Sequence, residues 1–323
     1  FTENVGASLF WLRAENDNTD GYRGNPSSNA MDFAGLTVPM TFDGVKVTPW
    51  AMYGALGRDS FTNGNGDEGA GVVNGLLPTG VDGSWLKGSD LDRHGNAWWV
   101  GVASELTYFD PFRFALDAAY GSADMGSIGG FDVERSGWFA SILGEYKMDY
   151  FTPGILFWYA SGDDSNAYNG SERMPSIEGS WTASSYGFDD NYGRDSSDMI
   201  GLTNDGTMGV YLQAKDISFV EDLTHIFRVG FVKGTNNTEM AQYVGTPYAG
   251  DYRALSNNNL YLTTADKAWE VNFDTQYKIY QDLTLCVELG WINLDLDKKV
   301  WGLDSDEYRD NAFRGAVTLQ YAF

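Results

Sequence analysis

The chain has one cysteine, Cys286, and two histidines, His94 and His225, in 323 residues. A lone thiol excludes a disulfide framework and a multi-cysteine zinc site. Two imidazoles leave little for metal or acid–base chemistry. No apolar run approaches the roughly 20 residues a membrane helix needs, which excludes a helical span. Bases are scarce, 21 Lys and Arg against 45 Asp and Glu, for a net charge of −24. That balance excludes a nucleic-acid partner, because phosphate contacts need a basic surface. The sequence opens on Phe1 with no signal peptide, as a processed secreted protein does, or one read from partway along a longer chain.

Aromatic residues and glycine are abundant instead, at 15% aromatic and 39 glycines. Their order has a period of two. From Ala312 to Phe323, Phe313, Gly315, Val317, Leu319, Tyr321 and Phe323 share one face, and Arg314, Ala316, Thr318 and Gln320 share the other. Alternate side chains of a strand point to opposite faces, so this is a strand with one greasy and one polar side. The same alternation runs through 112–122, 136–150, 267–281 and 283–297. Seven further segments, 5–15, 30–42, 45–58, 96–110, 152–163, 207–221 and 223–235, bring the expectation to about twelve strands. The parity slips near Lys215–Ile217, which predicts a bulge.

Tight turns are expected at Asp43-Gly44, Asp110-Pro111, Tyr150–Thr152, Glu221-Asp222 and Gln281-Asp282. Between them lie long polar segments, 16–29, 59–95, 123–135, 164–206, 236–266 and 298–310. Each hairpin therefore has one short and one long end, the layout of an outer-membrane barrel with long loops outside the cell. The whole chain, 1–323, reads as a single all-β domain, an antiparallel up-and-down transmembrane β-barrel. A soluble sandwich also alternates, but its strands average five or six residues, and these run to about 10–14. Aromatics also cluster at both ends of the greasy faces. Tyr108, Phe112, Tyr150, Tyr277, Tyr321 and Phe323 lie near short turns, and Trp98, Tyr120, Trp138, Trp269, Trp291 and Phe313 near long loops. Two such girdles match the two membrane–water interfaces.

Parity assigns inward, pore-lining positions to the bases Lys46, Arg58, Arg113, Lys147, Lys215, Arg228, Lys278 and Arg314. The inward acids are Glu105, Asp117, Glu145, Asp149, Glu270, Asp274 and Glu288. Opposed walls of this kind create a transverse field that favours polar solutes; the plainer reading is that they pair and keep the wall wet. Most of the negative charge then falls in loops and strand ends, and an acidic mouth attracts cations at low salt. Loops 59–95 and 164–206 are long enough to enter the lumen, although an external lid is the commoner fate. Acidic loops offer carboxylates to Ca²⁺ or Mg²⁺, but NDNTDG at Asn16–Gly21 lacks the full calcium-loop pattern, and no dedicated metal site or cofactor is expected. Trp98-Trp99 reads as one ring in the girdle and one against the lumen, and Trp50, Trp99 and Tyr211 are the inward aromatics.

The terminal segment, with Tyr321 and Phe323, resembles the C-terminal insertion signal of bacterial outer-membrane proteins, which implies recognition by the outer-membrane assembly machinery. The stretches ENVGASLFWLRAEND, AMDFAGLTVPMTFDGVKVTPWAMYGALGRD and FRGAVTLQYAF resemble the homotrimeric porins of Desulfovibrio-type sulfate-reducing bacteria. The resemblance implies a passive channel for small hydrophilic solutes, a homotrimer, and contact with membrane lipid and lipopolysaccharide. Such porins often have about 16 strands, so either N-terminal strands precede this sequence or twelve close alone. A substrate-specific channel would need an aromatic slide, and an outer-membrane enzyme would need a nucleophile near His94 or His225. Neither pattern stands out in the sequence, and a plugged structural barrel fits twelve strands poorly.

Overall fold

A computed structural model describes residues 3–15, 30–57, 75–78, 93–128, 130–177, 183–184, 205–244, 255–256, 259–301 and 309–322. The strands are β1 (Ser8–Glu15), β2 (Met31–Thr37), β3 (Met40–Phe42), β4 (Val45–Leu56), β5 (Gly95–Leu106), β6 (Phe112–Ile128), β7 (Phe131–Tyr146) and β8 (Thr152–Ala160). They continue as β9 (Thr207–Val220), β10 (Leu223–Gly234), β11 (Leu255–Ser256), β12 (Asn259–Leu260), β13 (Lys267–Tyr280), β14 (Leu283–Asp295) and β15 (Arg309–Tyr321). Thirteen of them form one antiparallel up-and-down sheet in the order β1-β2-β4-β5-β6-β7-β8-β9-β10-β13-β14-β15, with β3 on β4. Strands β11 and β12 pair only with each other. Among the described residues β1 and β15 are the two edges of the sheet, and no ladder joins them.

All twelve expected strands are present. The segment 30–42 is split into β2 and β3 around Val38-Pro39, because proline cannot donate to a ladder. Gly44 at φ 67 and Asp222 at φ 62 supply the left-handed residues of two short turns. The parity slip is real: His225 faces Ile217 while Phe227 faces Ala214, and Asp216 sits at φ 56 in the bulge. One expectation fails. The segment 123–135 is no long loop, because β6 and β7 run on to a tight turn at Gly130 (φ 91).

The two faces differ as the alternation requires. The outer face leaves large apolar side chains bare, among them Phe114, Ile142, Leu212, Leu289 and Val317. Two aromatic rows bound it. At the loop end Trp98 meets Tyr120 at 5.2 Å, and Tyr120 meets Trp138 at 4.6 Å. At the short-turn end Phe112 meets Tyr146 at 4.9 Å, with Tyr108, Tyr150, Tyr277 and Tyr321 also exposed.

The inner face follows a second rule. Six aromatics lie across the glycine directly opposite on the next strand: Phe10 on Gly35, Phe33 on Gly54, Trp50 on Gly101, Trp99 on Gly121, Trp158 on Gly209 and Tyr211 on Gly230. Each glycine leaves the space its partner's ring fills, so a ring can lie flat along the wall. Two apolar cores occupy the loop end of this face. One joins Phe33, Leu56, Trp99, Met125 and Val133 with Leu76 and Leu77 of the 59–95 segment. The other joins Trp158, Tyr211, Val232 and Ile292 with Met240, Tyr261, Leu262 and Trp301 from the later loops.

Candidate functional site

The chemistry of the inner face lies toward the short turns, below those cores. Register brings opposite charges side by side. Lys46 stands opposite Glu105 and Arg113 opposite Glu145. Lys46 Nζ is 3.2 Å from Glu105, whose other oxygen accepts from Arg113 Nε at 2.7 Å. Arg113 Nη1 reaches Glu145 at 2.8 Å, and Lys215 Nζ reaches the same carboxylate at 2.6 Å. Gln213 donates to Glu145 at 3.0 Å as well. Five charges of alternating sign thus run across β4, β5, β6, β7 and β9. On the far side Arg228 pairs with Asp274 at 2.7 Å. Glu270 is buried and accepts from Tyr211, from Ser184 at 3.0 Å and from Asn272 at 2.9 Å. Glu288 and Cys286 are buried on the same face of β14.

The other expected positions stand outside these ion pairs. Asp117 is on the inner face, opposite Ser141. Arg314 stands opposite Gly290 on the inner face of β15. Lys147 and Asp149 follow the end of β7 as exposed turn residues, with the Lys147 amide donating to Pro111 at 3.0 Å. Lys278 is exposed near the short-turn end of β13, where its amide donates to Asp222 at 2.9 Å. Tyr321 is exposed on the outer face, and Arg58 and Phe323 lie outside the described residues.

The belt surrounds a cavity of about 520 Å³, lined by Lys46, Glu105, Arg113, Asp117, Ser141 and Arg228 and reached from the loop side by Ala183 and Ser184. Those two residues belong to the 164–206 segment, and its first part also lies against the inner wall. The Trp99 indole donates to Pro175 at 2.7 Å, and the Ser171 amide donates to Glu134 at 2.8 Å. A side chain at Gly121 or Gly137 would collide with this segment. The segment therefore packs inside the wall, where an external lid was the commoner expectation. Residues of the 59–95 segment meet it there, the Ser176 amide donating to Gly75 at 2.8 Å.

The segment is fastened by charges that sequence reasoning missed. Arg135, nearly inaccessible, donates to Asp205 at 2.6 Å and to the Met174 carbonyl at 2.9 Å. Arg173 donates to the Asp205 carbonyl at 3.1 Å and lies over Tyr261. Asp163 accepts from Ser171 and, at 2.7 Å, from Tyr261. Asn236 ties three loops together, accepting from Asp163 at 3.0 Å and donating to Gly206 at 3.2 Å and Leu262 at 2.6 Å. Burial pushes the Glu172 carboxyl up, and the neighbouring Asp164 and Asp163 add to the shift. The one available signal for Arg135 was the alternation of Ala123, Met125, Val133 and Arg135 about Gly129-Gly130.

No family model and no curated protein matches the chain. Among solved structures it is similar to the outer membrane channel DcaP of Acinetobacter baumannii, at 12% identity and a TM-score of 0.38, over 99% of this chain and 98% of that one. It is similar to a mutant of the TodX monoaromatic hydrocarbon channel, at 12% identity and a TM-score of 0.39, over 99% of this chain and 79% of that one. It is also similar to Salmonella typhi OmpF in complex with daunomycin, at 10% identity and a TM-score of 0.32, over 98% and 96%. At such identities and scores these likenesses carry nothing about residues or solutes.

Proposed function

We propose that the protein is a bacterial outer-membrane channel, a porin-like β-barrel through which small hydrophilic solutes and ions pass passively. One observation carries the reading: a sheet greasy and bare on one side, bounded by two aromatic rows, and charged on the other. Only a wall between lipid and water uses both faces that way. Hydrocarbon leaves no edge unpaired, so the sheet must close.

The belt favours cations weakly. Each of Lys46, Arg113, Lys215 and Arg228 is bound to a carboxylate, while Asp117 adds a further acid to the cavity wall. The inserted segment narrows the lumen. Of the inward aromatics a substrate-specific slide would use, Trp99 and Tyr211 are buried beneath the loops and Trp50 alone is partly exposed, so such a slide gains no support. The homotrimer, the sulfate-reducer type of porin, the assembly role of Tyr321 and Phe323, and Ca²⁺ or Mg²⁺ on acidic loops belong to the same proposal on the resemblance and composition alone.

Planar-bilayer recording tests it. Stepwise current at low voltage is expected, with a reversal potential in a KCl gradient that shows modest cation preference. A silent bilayer overturns the channel, and anion preference overturns the charge argument.

A further inference from the structure

The bulge in β9 stands beside the charged belt, and its geometry ties the two together. From Ala214 opposite Phe227 to Ile217 opposite His225, β9 advances three residues while β10 advances two. On the other side Lys215 faces Thr152 and the Ser218 amide reaches the Tyr150 carbonyl at 3.4 Å, again three residues against two. One residue of β9 is therefore extra to both neighbours. Before it, Gln213 and Lys215 point inward to Glu145. After it, Phe219 points outward, 78% exposed. Lys215 and Phe219 share parity, so a regular strand would put both on one face. Either the ammonium would enter lipid or the ring would enter the lumen. The extra residue removes that conflict.

Asp216 carries the backbone of this bulge. It sits at φ 56, a left-handed conformation that Gly, Asn and Asp accept and β-branched residues reject. A buried hydroxyl pins it there, Thr152 Oγ1 donating to Asp216 Oδ2 at 3.0 Å. The adjacent Lys215 reaches across β8 to β7. Gly154 leaves the room on β8, since a methyl group there would stand 3.1 Å from both Glu145 Cγ and Gln213 Nε2. Lys215 Nζ meets Glu145 at 2.6 Å, and Arg113 holds the same carboxylate from the other side at 2.8 Å. Between the two cations the Glu145 side chain is only 2% exposed. The carboxylate is covered as long as both of them stay. Strained residues of this kind gather at functional sites, and bulges re-aim side chains there.

We propose that Asp216 is a positioning residue of the channel: its left-handed backbone, pinned by Thr152, aims the Lys215 ammonium at Glu145 and so keeps that carboxylate from passing ions. The consequence for ions rests on the channel reading, and the aiming of Lys215 does not.

Acetylation of the full chain in detergent micelles by sulfo-N-hydroxysuccinimide acetate, read at Lys215 by peptide mass spectrometry, tests the aim. Planar-bilayer recording tests the consequence. Asp216→Asn and Asp216→Val remove the same charge, and only Asn accepts the left-handed backbone. Labelling of Lys215 should stay near the wild-type rate in Asp216→Asn and rise roughly tenfold in Asp216→Val, the worth of one charged hydrogen bond. Thr152→Val removes only the pin and should raise the rate by a smaller factor; it decides the matter if Asp216→Val does not fold. In bilayers Asp216→Val should move the reversal potential toward cations relative to Asp216→Asn. In a Lys215→Gln background the two should agree, because the group they aim is gone. Equal Lys215 labelling in Asp216→Asn and Asp216→Val overturns the positioning role, as does wild-type labelling in Thr152→Val. A difference in reversal potential that survives Lys215→Gln overturns its route through Lys215. The expected labelling in a protein that carries no current supports the positioning and overturns the channel.

Discussion

Gly121→Ala is the most informative single change in the inner wall. A methyl group there would stand 2.6 Å from Trp99 Nε1 and 3.0 Å from Pro175 Cγ. Trp99 is buried, and its indole supplies the hydrogen bond that holds the inserted segment at Pro175. The ring cannot stay flat, so the wall is overpacked and a buried donor loses its partner. Overpacking costs about 1–3 kcal/mol and an orphaned donor about 1–3 kcal/mol. A combined loss of about 2–6 kcal/mol should appear in urea unfolding from lipid vesicles followed by tryptophan fluorescence. The displaced Pro175 segment should also change single-channel conductance. Gly144→Ala is the matched control, because its methyl group would meet only Phe114 and Ile155, the nearest atom at 3.6 Å. It should be neutral or gain up to about 1 kcal/mol from a stiffer unfolded chain. If Gly121→Ala matches Gly144→Ala in both stability and conductance, the ring-on-glycine packing does not hold the segment.

Three further changes probe the site. Asp205→Ala strands the buried Arg135 guanidinium and should cost about 3–5 kcal/mol, read by thermal melting, with proteolysis beginning in 163–177; a melt unchanged from wild type would remove Arg135 from the fastening. Arg228→Glu should shift the reversal potential toward stronger cation preference, whereas Arg314→Glu with unaltered current would assign that residue to the wall. Glu172 holds its proton more tightly when the segment is docked. The docking it favours is therefore complete below the ordinary glutamate range and weakens as pH climbs through the raised value. Hydrogen exchange across 163–177 should quicken from acid to neutral pH in wild type and less in Glu172→Gln.

The strands were legible because two signals coincide in each: a period of two, and a short turn that resets it. Where polar residues crowded both signals, reading failed. Asp124, Ser127, Asp132 and Glu134 made 123–135 look like a loop, although Met125, Val133 and Arg135 alternate with them and are buried. Inward charges could be assigned by parity, but their pairing required register: the chain to Glu145 spans Arg113 and Lys215 on two different strands. The ring-on-glycine pairs needed register too. Where the long loops go left no trace at all, since Trp99 and Pro175 meet across 76 residues with no periodicity to announce it.

The alternating belt bears on how a moving ion would experience the tunnel. Each positive arm is already reconciled with a negative neighbour a few ångströms away, so a traveller meets a picket of small dipoles and no bare pole deep enough to trap it. In the proposed channel, binding would stay shallow, departure would stay fast, and size would decide passage more than sign.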